Sequence, residues 1–315
     1  LSPELTSTAP PTRYRHCSPN SHHPPPPQHP RLRRQPLAPA TATPSATPGK
    51  LSGTDSGLFV PLPTTTATAT PVRLAGTPFT PPLNTPAVPG TISGVPILMY
   101  HYVRERNPTT DALGYRLSIA PAAFAAQLDW LARNGYTPMR LDTALGCIQG
   151  AARCPPRPVV LTFDDGYMDA YTAALPLLQQ YGFVATFNIV SGFVGRPGYM
   201  GTAELLALRD AGMELAAHSA THPDLTLLDE STARAEIGEP KRTLEALLGV
   251  PVTSFCYPAG KFDARTVALV QAAGYTNATT TLQHGDYRNP YTLPRLRITG
   301  GITLDGFAAL MQGYR

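Results

Sequence analysis

The chain has 315 residues and a formal net charge of +4, yet its prolines and its charge are unevenly placed. Residues 1–95 hold 21 of the 36 prolines and seven Lys/Arg (Arg13, Arg15, Arg31, Arg33, Arg34, Lys50, Arg73) against Glu4 and Asp55, which leaves residues 96–315 at −1. That balance excludes a basic nucleic-acid-binding face on the remainder, and no run is long and apolar enough to span a bilayer.

Runs such as "HHPPPPQHP" and "PLPTTTATATPV" bury too little apolar surface to repay the ordering of their backbone. Residues 1–94 therefore read as a disordered Pro/Thr/Ala-rich linker with polyproline II character. Thr, Ser and Pro at this density match the stalks of exported proteins, so an extracellular or cell-surface location is expected, with tethering to a wall or surface through the tail. Leu1 opens with neither a charged n-region nor an apolar h-region, as expected of a processed or truncated form.

From Val95 onward, apolar runs alternate with helical periods. The strand "VPILMYHYV" is followed by a helix opened by Pro121, with Phe124, Leu128 and Leu131 on one face and Asn134-Gly135 at its end. Next come the strand "VVLTFDD", a helix "YMDAYTAALPLLQQYG" closing on Gly182, the strand "VATFNIV" and a helix "TAELLALRDAG" closing on Gly212. A glycine just past the last periodic residue is the expected left-handed cap. The strand "MELAAH" leads to "DESTARAEIGEPKRTLEALLG", where Gly238 and Pro240 predict a kink or a restart. The strand "VTSFCYP", the helix "DARTVALVQAAG", the strand "GYTNAT" and a last strand in "LPRLRIT" complete the series. About seven parallel β/α units in about 220 residues predict an α/β fold over residues 95–315, a barrel or barrel-like sheet with its functional residues at the carboxyl ends of the strands. Of the cysteines, Cys147 and Cys154 flank a short loop that a disulfide could close, Cys256 reads as buried packing, Cys17 lies in the tail, and no zinc-ribbon spacing exists.

Asp164 and Asp165 end the apolar run "VVLTFDD" side by side, an arrangement that repels and costs solvation unless a positive partner is at hand. The other ionisable cluster at a strand end is His218 and His222 in "ELAAHSATHPD". One such histidine is usually structural; two at i and i+4 after a strand favour metal ligation. With one carboxylate they would form a set that keeps a coordination position open for water, leaving the second acid free to take a proton. Adjacent strand residues point to opposite faces, so both acids serve one site only if the strand ends there, and Gly166 supplies the bend. A helix-capping turn would explain one Asp but not two.

"TFDDG" together with "HSATH" resembles the first two motifs of the NodB-type polysaccharide deacetylases, carbohydrate esterase family 4, over about residues 95–315. The resemblance implies a distorted (β/α) barrel, Asp164 as general base, and Asp165, His218 and His222 as ligands of a divalent metal, usually zinc. The third motif is matched only in part: "CYPAG" stands where the family often has Arg-Pro-Pro-Tyr-Gly. The Ala259 N–H can still supply the oxyanion donor. The Arg that orients the base is replaced by Cys256, and Arg295 in "LPRLRI" is the substitute to test. The family's late Leu-x-His is absent, whereas "ILMYHYV" resembles the opening strand of the branch that deacetylates poly-N-acetylglucosamine. His101 would then protonate the leaving amine, since a barrel brings its first and last strands together. Tyr102, Tyr199, Trp130 and Tyr257 are aromatics to consider for sugar stacking, of which Tyr257 is taken as substrate-binding.

The expected function is thus metal-dependent hydrolysis of N-acetyl, less readily O-acetyl, groups on an acetylated polysaccharide. Phosphoryl transfer would want a D-x-D arrangement with oxygen ligands. Glycoside hydrolysis would want carboxylates about 5–10 Å apart across a sugar ring. A catalytically silent carbohydrate-binding domain is the alternative from another class, drawing on the missing Arg and late His.

Overall fold

The computed structural model describes residues 94–313. The linker expected over residues 1–94, Gly94 apart, and Cys17 lie outside the described residues. The strands are β1 (Ile97–Tyr100), β2 (Tyr102–Val103), β3 (Ser118–Ile119), β4 (Thr137–Met139) and β5 (Pro158–Phe163). They continue with β6 (Thr186–Ile189), β7 (Glu214–Ala217), β8 (Ser254–Cys256), β9 (Asn277–Thr279) and β10 (Leu296–Arg297). The helices are α1 (Ala112–Leu117), α2 (Pro121–Arg133), α3 (Leu141–Ile148), α4 (Leu175–Tyr181), α5 (Thr202–Asp210), α6 (Glu230–Leu248), α7 (Ala264–Ala272) and α8 (Leu304–Gln312).

All strands but β2 and β3 form one parallel sheet in the order β10-β1-β5-β6-β7-β8-β9, a distorted (β/α) barrel. The distortion is at β5, bordered along one edge by β1 and along the other by β4 at its start and β6 at its end. Closure falls to residues 293–297: Leu293 bridges Thr279 of β9 in parallel, while Leu296 and Arg297 pair with Leu98 and Met99 of β1. First and last strands therefore meet.

Strand alternation divides the core. Leu98, Tyr100, Leu161, Phe163, Phe187, Leu215 and Phe255 point outward into the layer under the helices. Ile97 and Val160, on the other face, join Val95, Met139, Leu141, Ala144 and Leu293 in a smaller apolar cluster to which α3 contributes. Several other inward positions are polar and are tied together: Glu214 accepts from Thr186 and Ser254 hydroxyls, and Asn277 donates to Ser254.

Two predicted helices differ from expectation. The stretch after Asp169 begins as a π turn, Ala170–Ala174, ending two residues before Pro176, which has no N–H to offer the preceding turn. The kink or restart predicted at Gly238 and Pro240 is not there: α6 runs unbroken across Pro240. The carbonyl that Pro240 cannot bond, Glu236 O, accepts instead from Ala220 N–H at 3.1 Å. Cys147 and Cys154 are free thiols, and burial pushes the Cys147 thiol up to about 12. Among the described residues no helix is long and apolar enough to cross a membrane. Leu141→Ala, which removes the largest α3 side chain from the smaller cluster, is expected to cost about 2–5 kcal/mol, read as a lowered midpoint in urea.

Candidate active site

The two acids of "TFDDG" lie where β5 ends, and the bend starts at the second acid itself: Asp165 has φ 74° and Gly166 φ 79°. Five non-glycine residues among those described have positive φ, and four (Asp165, Ser219, His222, Ala259) belong to the loops that carry the candidate groups. Each such residue stores about 1–3 kcal/mol of strain that the surroundings must hold.

Asp164 keeps the inward direction of the strand and is 2% exposed. Arg295, with no exposed surface, grips it from the closing segment: Nη1 donates to Oδ1 at 2.7 Å and Nη2 to Oδ2 at 2.8 Å. The guanidinium is itself fixed, with Nε donating to Thr280 O and Nη1 to Thr162 Oγ1. Its Nη2 lies 3.3 Å from Cys256 Sγ, so the small side chain in the third motif leaves the space that Arg295 fills. Asn188, at an inward register in β6, donates to Asp164 Oδ1 at 2.7 Å. Burial alone would raise the Asp164 pKa, but the Arg295 guanidinium outweighs it and holds the carboxyl far below the usual range. His101 follows β1 with Nε2 at 3.8 Å from Asp164 Oδ2. Burial lowers its pKa, and the neighbouring carboxylates of Asp164 and Asp165 offset this only in part, which favours the neutral imidazole.

Asp165 turns the other way, toward the histidines. His218 Nε2 lies 3.4 Å and His222 Nε2 3.5 Å from Asp165 Oδ1. A tetrahedral ion with ligands at about 2.1 Å holds them about 3.4 Å apart, so the donor set fits a divalent cation in chemistry and in spacing. His218 Nδ1 is 2.7 Å from Cys256 O, which places the ring proton there and leaves the Nε2 lone pair facing Asp165. Asp164, His218 and Cys256 also cluster, but both Asp164 oxygens are engaged by Arg295, which makes the Asp165 set the better cation site.

Ala259 is exposed, at φ 51° in the turn after β8. Tyr257 is fully buried, its ring between Phe255 and Phe262, and presents no face for a sugar. Trp130 packs against Tyr136 and Phe307. Half-buried Tyr102, Tyr167 and Tyr199 stack in series, with Arg104 over the Tyr102 ring, and Tyr199 shares a pocket with Asp165. Asn188 was not singled out by sequence; the signal available was an amide inside the apolar run "VATFNIV".

Residues 151–278 match the polysaccharide deacetylase family. YxkH of Bacillus subtilis (strain 168), whose name places it among polysaccharide deacetylases, is 26% identical over 70% of this chain and 77% of its own length. The poly-beta-1,6-N-acetyl-D-glucosamine N-deacetylase of Escherichia coli (strain K12) is 36% identical over 26% of this chain, which is 12% of that protein. A crystal structure of a polysaccharide deacetylase from Bacillus cereus superposes with a TM-score of 0.61 at 28% identity, over 69% of this chain and 68% of that one. With this fold, and with the paired acids and histidines at its strand ends, the chain belongs to the NodB-type polysaccharide deacetylases, hydrolases of the amide-bond class. His101 and Arg295 lie outside the matched span, and barrel closure brings them to the acids within it.

Arg295→Met would leave the Asp164 charge buried and unpaired, at an expected cost of about 3–5 kcal/mol. Arg295→Lys should recover only part of this, because an ammonium cannot grip both oxygens. Denaturant unfolding of the two variants beside the parent reads both values.

Proposed function

We propose that the domain removes acetyl groups, mainly N-linked, from an extracellular or cell-surface polysaccharide. The observation that carries this is the opposite allegiance of two adjacent carboxylates, one gripped by a guanidinium and the other aimed at two histidines. The name of the Escherichia coli relative supports an N-acetylglucosamine polymer as the substrate class. In the same proposal the Pro/Thr/Ala-rich tail tethers the domain to a wall or surface, a reading that rests on its composition.

Asp165, His218 and His222 would hold the divalent cation, with zinc the first choice for a carboxylate and two imidazoles. Such a cation, when bound, polarises the acetyl carbonyl and lowers the pKa of water toward about 7. Asp164 accepts the water proton. Arg295 acts through it as a positioning residue, fixing the carboxylate plane and keeping it ionised. His101 Nε2, 3.8 Å from Asp164 Oδ2, is the group nearest at hand in this proposal to receive that proton. His101 then delivers that proton to the amine as the C–N bond breaks, which suits an imidazole that is neutral at rest. The Ala259 N–H is the donor proposed for the oxyanion, a role that requires no side chain. Products are acetate and a free amino sugar.

The test is acetate release from N-acetylglucosamine polymers and acetylxylan by the full chain, stripped with chelator and restored with zinc. Release should vanish on stripping and return with zinc. Asp164→Asn should abolish it while zinc still binds, and His101→Gln should slow it by about 10²–10⁴-fold. Release that survives Asp164→Asn would overturn the assignment of the base. Stoichiometric zinc binding without acetate from any polymer would leave a glycan-binding domain instead.

A further inference from the structure

Two of the three groups aimed at the cation site sit on one short loop, His218 to His222, which the chain does not favour by itself. Ser219 has φ 62° and His222 φ 64°, left-handed values that are uncommon outside glycine. Within the loop, Ser219 Oγ accepts from His222 N–H at 2.9 Å. From one side, Ser191 N–H and Gly192 N–H donate to Ser219 O and Ala220 O. Three further donors of the loop converge on a single residue of α6. Glu236 Oε2 accepts from Ala220 N–H at 3.0 Å and from Thr221 N–H at 2.8 Å, and Oε1 accepts from Thr221 Oγ1 at 2.7 Å. Its main-chain carbonyl takes the Ala220 N–H as well, and is free to do so because Pro240, four residues on, has no N–H to offer.

We propose that Glu236 is a positioning residue for the cation site: its carboxylate fixes the loop between His218 and His222, and so sets the metal affinity without touching a ligand atom. The inference rests on Asp165, His218 and His222 as the ligands. A carboxylate suits the place because every group facing it is a donor, two amides and a hydroxyl, and an ionised carboxylate is acceptor-only. A glutamine would turn an NH₂ toward one of these donors. Pro240 makes the anchorage specific to this point of the helix, where a main-chain acceptor and a side-chain acceptor come from the same residue.

The experiment uses the full chain freed of metal. Zinc affinity is titrated against a chromophoric chelator, the cobalt-loaded protein is followed by its visible ligand-field bands, and exchange of the Ala220 and Thr221 amides is measured without metal. Glu236→Ala is expected to weaken zinc binding about 10–100-fold, to alter the cobalt bands and to speed exchange at both amides, while the metal-free melting temperature moves little. Glu236→Gln should recover part of the affinity. Thr221→Val, which removes only the hydroxyl contact, should shift affinity in the same direction by less, and it serves should Glu236→Ala fail to fold.

Zinc affinity in Glu236→Gln and Thr221→Val equal to that of the parent, with unchanged cobalt bands, would overturn the proposal. His222→Ala separates the two levels of the argument. If it binds zinc as the parent does, the ligand assignment fails and the positioning role falls with it, although fast amide exchange in the Glu236 variants would still register the tie to the loop. If His222→Ala loses zinc while the Glu236 variants keep it, the ligands stand and only the role of Glu236 is lost.

Discussion

A guanidinium with no exposed surface lies flat against a carboxylate with almost none, across a barrel seam, and much of the rest of the molecule can be understood as the means of making that pair tolerable. Two charges taken out of water cost several kcal/mol each, and their attraction repays this only when the remaining donors and acceptors are also satisfied. Here they are. Thr162, Thr280 and the Cys256 sulfur take the other three guanidinium protons, and Asn188 adds a third donor to the carboxylate. The polar side chains around the pair are therefore a requirement of it, and most of the large apolar residues lie in the outer layer and in the smaller cluster beside α3.

The division of the two acids follows. Had Asp165 continued the extended strand, it would have pointed away into the layer under the helices. Its left-handed backbone turns it instead toward the histidines, at a cost in strain that recurs in Ser219, His222 and Ala259. The loop that carries Ser219 and His222 is held from two sides, by α6 through Glu236 and by the turn at Ser191 and Gly192 through main-chain donors. At Gly192 a Cβ would lie 2.5 Å from Ala220 O, so that approach is open only to glycine.

Much of this was legible in the order of the residues. The alternation of apolar runs and helical periods gave the parallel barrel, because side chains that face a helix layer must be apolar wherever they fall. The acids and histidines stood out as charge at strand ends. Arg295 and His101 were reachable only through the resemblance, since nothing local in "LPRLRI" or "ILMYHYV" says what lies across the seam. Asn188 and Glu236 were not legible. One is an amide at an inward register of a run that otherwise reads as apolar, and the other is one glutamate among several in α6. Pro240 misled, because the rule that proline breaks a helix assumes that the freed carbonyl has no other donor, and Ala220 supplies one. Tyr257 misled for a simpler reason: in β8 and beyond, inward Cys256 is followed by an outward residue.

The seam has a consequence for how the chain reaches its final state. Asp164 emerges from the ribosome 131 residues before Arg295. Until residues 293–297 dock between β9 and β1, the interior of the incomplete barrel holds a carboxylate that must stay hydrated or take up a proton. Expulsion of solvent, closure of the sheet and pairing of Asp164 with Arg295 are therefore coupled through contacts far apart in the chain, a topology of high contact order.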